Sequence, residues 1–228
     1  VNLKKTLEWL SGFTQLEIIV VEQDTKPKLH AYTLKGFKHI FTKTDLPMNK
    51  GWAYNVGVKN STTNTLIFGD HVTRMEPNKL INCLRQLQSN EVVSATSEIL
   101  ELTQPEFELG FDMLEAINRD NKKKHFTEGI LVSRKDTHNR IGGWPEEFLS
   151  QNGIDEFHSK KILEMTSHTQ SNNKCFRFPS PKTNTDKFIE KRDVNLLENL
   201  MGMKKQDLPK YVNNTSPRIG LKMRFADK

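Results

Sequence analysis

The chain has only two cysteines in 228 residues, Cys83 and Cys175. Neither has another Cys or a His at ligand-like spacing, which argues against a zinc site or a disulfide framework. The expected state is two reduced, buried thiols in a cytoplasmic protein. Long apolar runs are also missing. No window nears the roughly 18 consecutive apolar residues of a membrane span, and no leader pattern opens the chain. Zinc-finger spacing and aromatic RNA-binding motifs are absent too. The net charge of +6 suits nucleic acid, an anionic membrane surface or a phosphorylated small molecule. The lysines are dispersed apart from Lys122, Lys123 and Lys124, which are expected to form a solvated loop. No nucleic-acid partner is expected.

What is present is an alternation of strand-like and helix-like segments. Leu3, Leu7 and Leu10 keep helical spacing. Leu16–Val21 predicts a buried strand ending in an acidic loop with Glu22 and Asp24. FKHIFTK predicts a second strand, NKGWAYNVGVKNS a helix, and NTLIFGD a third strand. Pro77 suits a helix start. EVVSATSEIL is strand-like, EFELGFDMLEAI helix-like with Gly110 weakening it, and GILVSR another strand. After a Gly-Gly-Trp-Pro turn, a helix is expected over 154–165, then a last strand at KCFRF. Strands alternating with helices indicate an α/β sheet covered on both faces. Ligands collect at the carboxyl ends of such strands, where Glu22, Asp24 and Asp70 fall.

Three ordered segments, spanning about residues 15–165, resemble the GT-A glycosyltransferases, especially the inverting family 2. LEIIVVEQD resembles that family's second strand and acidic loop. NKGWAYNVGVKNSTTNTLIFGDHV resembles its Arg/Lys-Gly-x-Ala-x-Asn-x-Gly helix and the strand into an Asp-x-Asp motif. TEGILVSRKDTHNRIGGWPEEFLSQNGIDEF resembles its Gly-Gly-Phe/Trp turn and acceptor-side acidic motif. The resemblance implies a GT-A, Rossmann-like fold with a mixed, mostly parallel sheet flanked by helices. It also implies hexose transfer from a UDP-sugar to a glycan or glycolipid hydroxyl, with inversion expected and retention left open.

Residue by residue, the resemblance assigns Asp70 to a Mn²⁺ or Mg²⁺ ion on the diphosphate. Carboxylates suit such hard ions. The second Asp of the motif falls on Val72, which cannot ligate. His71 and His168 are the expected substitutes, with Glu76 a further candidate. Glu22, Asp24, Lys50, Asn55, Gly129, Gly143 and Trp144 are expected around the nucleotide-sugar. Gly51, Ala53 and Gly57 are small positions that would let the helix approach its neighbours closely. Asn55 serves equally well as a structural tether.

Asp155 and Glu156 are the candidate bases for the attacking hydroxyl. Both are expected in the first turn of a helix, where the macrodipole favours a carboxylate. The register between them stays open, with Asp155 preferred. Residues 1–181 are expected to form the GT-A domain. The family's first strand has no counterpart here, so another segment is expected to fill its slot. Residues 182–228 are read as a C-terminal helical or irregular extension, packed on the domain, on a partner or at a membrane face. A non-catalytic nucleotide-sugar or glycan-binding module with a degenerate metal motif is the alternative.

Overall fold

The structure is a computed structural model that describes residues 2–29, 36–70, 72–119, 123–150, 153–178, 186–215 and 220. In chain order the elements are α1 (Asn2–Ser11), β1 (Ile19–Asp24), β2 (Lys38–Lys43), α2 (Lys50–Asn60), β3 (Thr65–Gly69) and β4 (Thr73–Arg74). Then come α3 (Pro77–Gln86), β5 (Val92–Ser94), β6 (Glu98–Glu101), α4 (Phe111–Ala116), β7 (Ile130–Arg134), α5 (Lys135–Arg140) and α6 (Ile154–Met165). The last are β8 (His168–Gln170), β9 (Lys174–Arg177), α7 (Lys187–Met201) and α8 (Leu208–Thr215).

The chain forms two compact units. One comprises Val1–Thr14, Thr65–Arg134 and Met165–Thr183. It holds a four-stranded sheet in the order β3-β7-β5-β8 and a three-stranded sheet in the order β4-β9-β6. Met75, Leu80, Cys83, Val93, Val132 and Cys175 pack together in its interior. Both cysteines are free and buried, as their isolation in sequence predicts. The other unit comprises Gln15–Asn64, Lys135–Glu164 and Asn184–Lys228. It contains the parallel pair β1-β2, and Trp52, Trp144, Phe148, Phe157, Leu208 and Val212 are among its buried apolar residues.

Local chemistry sets the element boundaries. The Asn49 side chain accepts the Trp52 N–H and starts α2, the usual role of Asn at an N-cap. The Glu76 carboxylate accepts the N–H groups of Asn78 and Lys79, and Pro77 sits in the first turn of α3. Helix α6 begins after Gly153, whose φ is +85°, and covers the expected span.

Three segments differ from expectation. EVVSATSEIL is two strands, because the chain leaves the β5 sheet after Ser94 and enters the β6 sheet at Glu98. EFELGFDMLEAI breaks at Gly110, which caps α4 after a 3-10 turn. Strand β1 starts at Ile19 rather than Leu16. The class is α/β with mixed sheets, as expected. The pairs β1-β2, β5-β8 and β6-β9 are parallel, and β3-β7, β5-β7 and β4-β9 are antiparallel. No helix among the described residues is long and apolar enough to cross a membrane.

The small positions of α2 differ in how tightly they are enclosed. A Cβ on Gly51 would lie 2.0 Å from the Pro145 carbonyl oxygen, whereas one on Gly57 would meet only Val21 Cγ2 at 3.7 Å. Gly51→Ala is therefore expected to cost 2 kcal/mol or more, roughly, because backbone must move. Gly57→Ala is expected to be neutral or stabilising by up to about 1 kcal/mol through helix propensity. Urea denaturation of the two variants checks this contrast.

Candidate functional site

Asn55, on α2 and fully buried, grips the Gly-Gly-Trp turn. Its Oδ1 accepts the Trp144 N–H at 2.9 Å and faces His138 Nε2 at 3.1 Å. Its Nδ2 donates to the Trp144 carbonyl at 2.8 Å and to the Glu146 carboxylate at 2.7 Å. The amide is thus engaged on both sides by the chain itself, which is the tethering role. The turn cannot carry a side chain at Gly143. Its φ is +56°, and a Cβ there would stand 2.7 Å from Asn55 Oδ1 and 3.1 Å from His138 Nε2. Trp144 is buried and stacks on His158, with ring centroids 4.0 Å apart and planes 27° from parallel.

Beside this turn lies an ion pair. Lys50 Nζ donates to both carboxylate oxygens of Asp155, at 3.0 and 2.9 Å. The side chains retain 11% and 20% of their exposure, so the pair is shielded but reachable. The Lys50 ammonium also lies 5.4 Å from the Trp144 ring centroid and 5.7 Å from that of Tyr54, distances at which a cation is attracted to the ring face. Trp144 and Tyr54 are themselves in contact, at 4.9 Å. Asp155 and Glu156 both lie in the first turn of α6, as expected. The structure brings Lys50, Trp144 and Asp155 together, with Glu156 next in the chain.

The acids at the end of β1 are engaged locally. Glu22 Oε1 accepts the N–H groups of Lys28 and Leu29 at 2.6 and 3.3 Å, and Oε2 faces His39 Nε2 at 3.0 Å. Asp24 accepts the Thr25 N–H at 2.7 Å and pairs with Lys28 at 2.5 Å. These bonds hold its carboxyl below the usual range, the Lys28 ammonium foremost.

In the other unit, Asp70 directly follows β3 and is half-buried, and its carbonyl accepts the Thr73 N–H. His71 lies outside the described residues. Val72 is buried in an apolar cluster with Leu100, Phe107 and Phe176, consistent with a residue that cannot ligate. Glu76 is used as the cap of α3. The expectation for His168 is corrected by register. It pairs with Val92, Val92 with Ser133, and Ser133 with Leu66. His168 is therefore three strands across from β3, about 14 Å, and level with a residue four positions before Asp70, about 13 Å along the strand. The two cannot share an ion. His168 Nδ1 instead faces the Thr166 carbonyl at 3.0 Å, and its ring meets the Phe126 ring edge-on. Gly129 has φ +84°, and a Cβ there would fall 2.7 Å from Thr96 Oγ1. It lets β7 begin against β5.

Among the described residues, no three His, Cys, Asp or Glu side chains form a preformed metal cluster. The Asp70 carboxylate, at the end of a strand, is of the oxygen-donor type that Mg²⁺ and Mn²⁺ take.

The sequence reading missed a buried titratable group beneath the turn. Lys161 of α6 is 1% exposed and donates to the Gly143 carbonyl at 2.5 Å. Burial lowers its pKa to about 8. His138 and His158 are also buried. Burial, then the Lys161 charge, brings His138 down to about 3 and His158 well below its usual value. Both imidazoles are neutral when folded, whereas the unfolded chain takes up protons near pH 6.5. Their contribution is fully present above that pH and is lost as pH falls through it. Unfolding free energy should drop as pH falls from 6.5 to 5, with a slope that approaches about 1.4 kcal/mol per pH unit for each imidazole. Denaturant titrations should show a shallower slope for His138→Gln; an equal slope would contradict this.

Sequence comparison finds no matching protein-family model and no matching curated protein. Comparison with solved structures does find matches. GalNAc-T7, solved with UDP, GalNAc and Mn²⁺, superposes with a TM-score of 0.58 at 10% identity over 87% of this chain and 48% of that one. Glucosyl-3-phosphoglycerate synthase from Mycobacterium tuberculosis, solved with Mn²⁺, UDP and phosphoglyceric acid, gives 0.57 at 12% identity, covering 90% and 75%. The mannosyltransferase PcManGT from Pyrobaculum calidifontis, solved with GDP-Man and Mn²⁺, gives 0.53 at 15% identity, covering 95% and 67%. The chain thus spans about half the length of the GalNAc-T7 structure. It has the fold of the GT-A glycosyltransferases.

Proposed function

We propose that this chain is a metal-dependent glycosyltransferase that moves a hexose from a UDP-sugar to a glycan or glycolipid hydroxyl with inversion. The observation that carries the reading is the Asp155–Lys50 pair at the start of α6, packed beside Trp144 within a GT-A fold. The fold neighbours support a nucleotide-diphosphate donor, since each was solved with UDP or GDP-Man together with Mn²⁺. The domain assigned to this activity is residues 1–181, with 182–228 as its extension.

In this reaction the acceptor oxygen attacks the anomeric carbon, and the bond from that carbon to the diphosphate oxygen breaks. The hydroxyl proton goes to a carboxylate, assigned here to Asp155 or Glu156. Lys50 orients the Asp155 oxygens, and the buried Trp144 ring backs the Lys50 ammonium. Glu22 and Asp24 are assigned to the nucleoside side, and Asp70 to the cation on the diphosphate. That ion would neutralise charge gathering on the leaving diphosphate.

A second reading is a nucleotide-sugar-binding module without turnover. Val72 at the position of the motif's second Asp favours it.

Release of UDP from a panel of UDP-hexoses, with Mn²⁺ and glycan or glycolipid acceptors, separates the two readings. The transferase reading expects turnover in the wild type. It also expects a fall of roughly 10²–10⁴ in kcat for whichever of Asp155→Asn and Glu156→Gln removes the base, with the donor KM little changed. UDP-sugar binding without UDP release would establish the module instead.

A further inference from the structure

We propose that Lys161 is a positioning residue: its ammonium clamps the Gly143–Trp144 peptide unit to the helix that carries Asp155 and Glu156. This inference rests on the transferase reading for its consequence in catalysis, though not for the clamp itself.

The peptide unit is held at both ends. Its carbonyl, on Gly143, accepts from Lys161 Nζ at 2.5 Å, and its N–H, on Trp144, donates to Asn55 Oδ1 at 2.9 Å. The Gly142 carbonyl lies 3.5 Å from the same ammonium. Lys161 and Asp155 share α6. One end of the helix therefore meets Lys50 beside Trp144 while a point about two turns on holds the backbone from which Trp144 projects.

Packing alone does not account for an ammonium at this place. A methionine would fill the same volume without the desolvation cost of a buried charge. The groups facing Lys161 are Glu146 and Glu147 after the turn, His138 on α5 and His158 on α6. Lys50 of α2 faces His158, and Tyr211 of α8 donates to Glu147 at 2.6 Å. Burial raises Glu146 and keeps both imidazoles neutral, and burial beside Glu147 raises Tyr211. Lys161, lowered by burial to about 8, is the member of this set placed to change charge between pH 7 and 9.5.

The test is selective ¹⁵N-tryptophan labelling of the full chain. It gives one amide signal each from Trp9, Trp52 and Trp144, and an amide nitrogen senses hydrogen bonding at the carbonyl of its own peptide unit. The Trp144 signal of the wild type should move with a midpoint near pH 8 as the ammonium is lost. In Lys161→Met it should stay fixed over that range. A Trp144 signal in Lys161→Met that coincides with the wild-type signal at pH 7, or one that moves with pH as much as it does in the wild type, overturns the clamp. The wild-type series needs no variant to fold. With an active donor, Lys161→Met should lower kcat about ten- to a hundredfold at unchanged donor KM, and an unchanged kcat overturns the positioning role. Absence of turnover in the wild type would instead remove the transferase reading and leave the amide titration to decide the clamp.

Discussion

The grip of Asn55 on the Gly-Gly-Trp turn is the constraint from which the rest of the candidate site follows. One buried amide binds the N–H and the carbonyl of Trp144, the Glu146 carboxylate and the His138 ring. A buried amide left unpaired is costly, by about 1–3 kcal/mol for each lost partner, so α2 and the turn hold each other in one register. Gly143 must lack a Cβ because Asn55 Oδ1 stands where it would go. With the turn fixed, Trp144 is fixed, and its ring lies beside the Lys50 ammonium that pairs with Asp155.

The electrostatics around this turn have two layers. The outer layer is the Lys50–Asp155 pair, whose side chains keep 11% and 20% of their exposure. The inner layer is dry: Lys161, His138 and His158 sit where ionisation is penalised, and burial depresses all three. Asp70 belongs to the other unit and stands alone among the described residues as a carboxylate directly after a strand of the four-stranded sheet.

Much of this was legible in the sequence because it depends on local patterns. Helix α6 was bounded correctly after the Gly-Gly-Trp-Pro turn. Helix α2 was marked by its small residues, and the strand before Asp70 by an apolar run. Short elements were not legible. Strands β8 and β4 and helix α5 span three, two and six residues, too few for a period to register, and the two strands form through sheet pairing distant in sequence. His168 was misplaced because register across three strands is not encoded near that residue. Lys161 could have been found. Ile154, Phe157, His158, Lys161 and Ile162 follow the i, i+3, i+4, i+7, i+8 spacing of a buried helical face, and that spacing puts an ammonium and an imidazole in the interior. Asn55 was seen as a tether or a ligand contact, and only its four partners reveal how fully the tether uses the amide.

The account depends most on a nucleoside diphosphate and a divalent ion meeting at the carboxylate after Gly69. Isothermal titration of UDP into the full chain, with Mn²⁺ and then with EDTA, for the wild type and Asp70→Asn, tests this directly. The account predicts UDP binding that requires Mn²⁺ and is lost in the variant. UDP binding of equal strength in EDTA, unchanged binding in Asp70→Asn, or no UDP binding under any condition would contradict it.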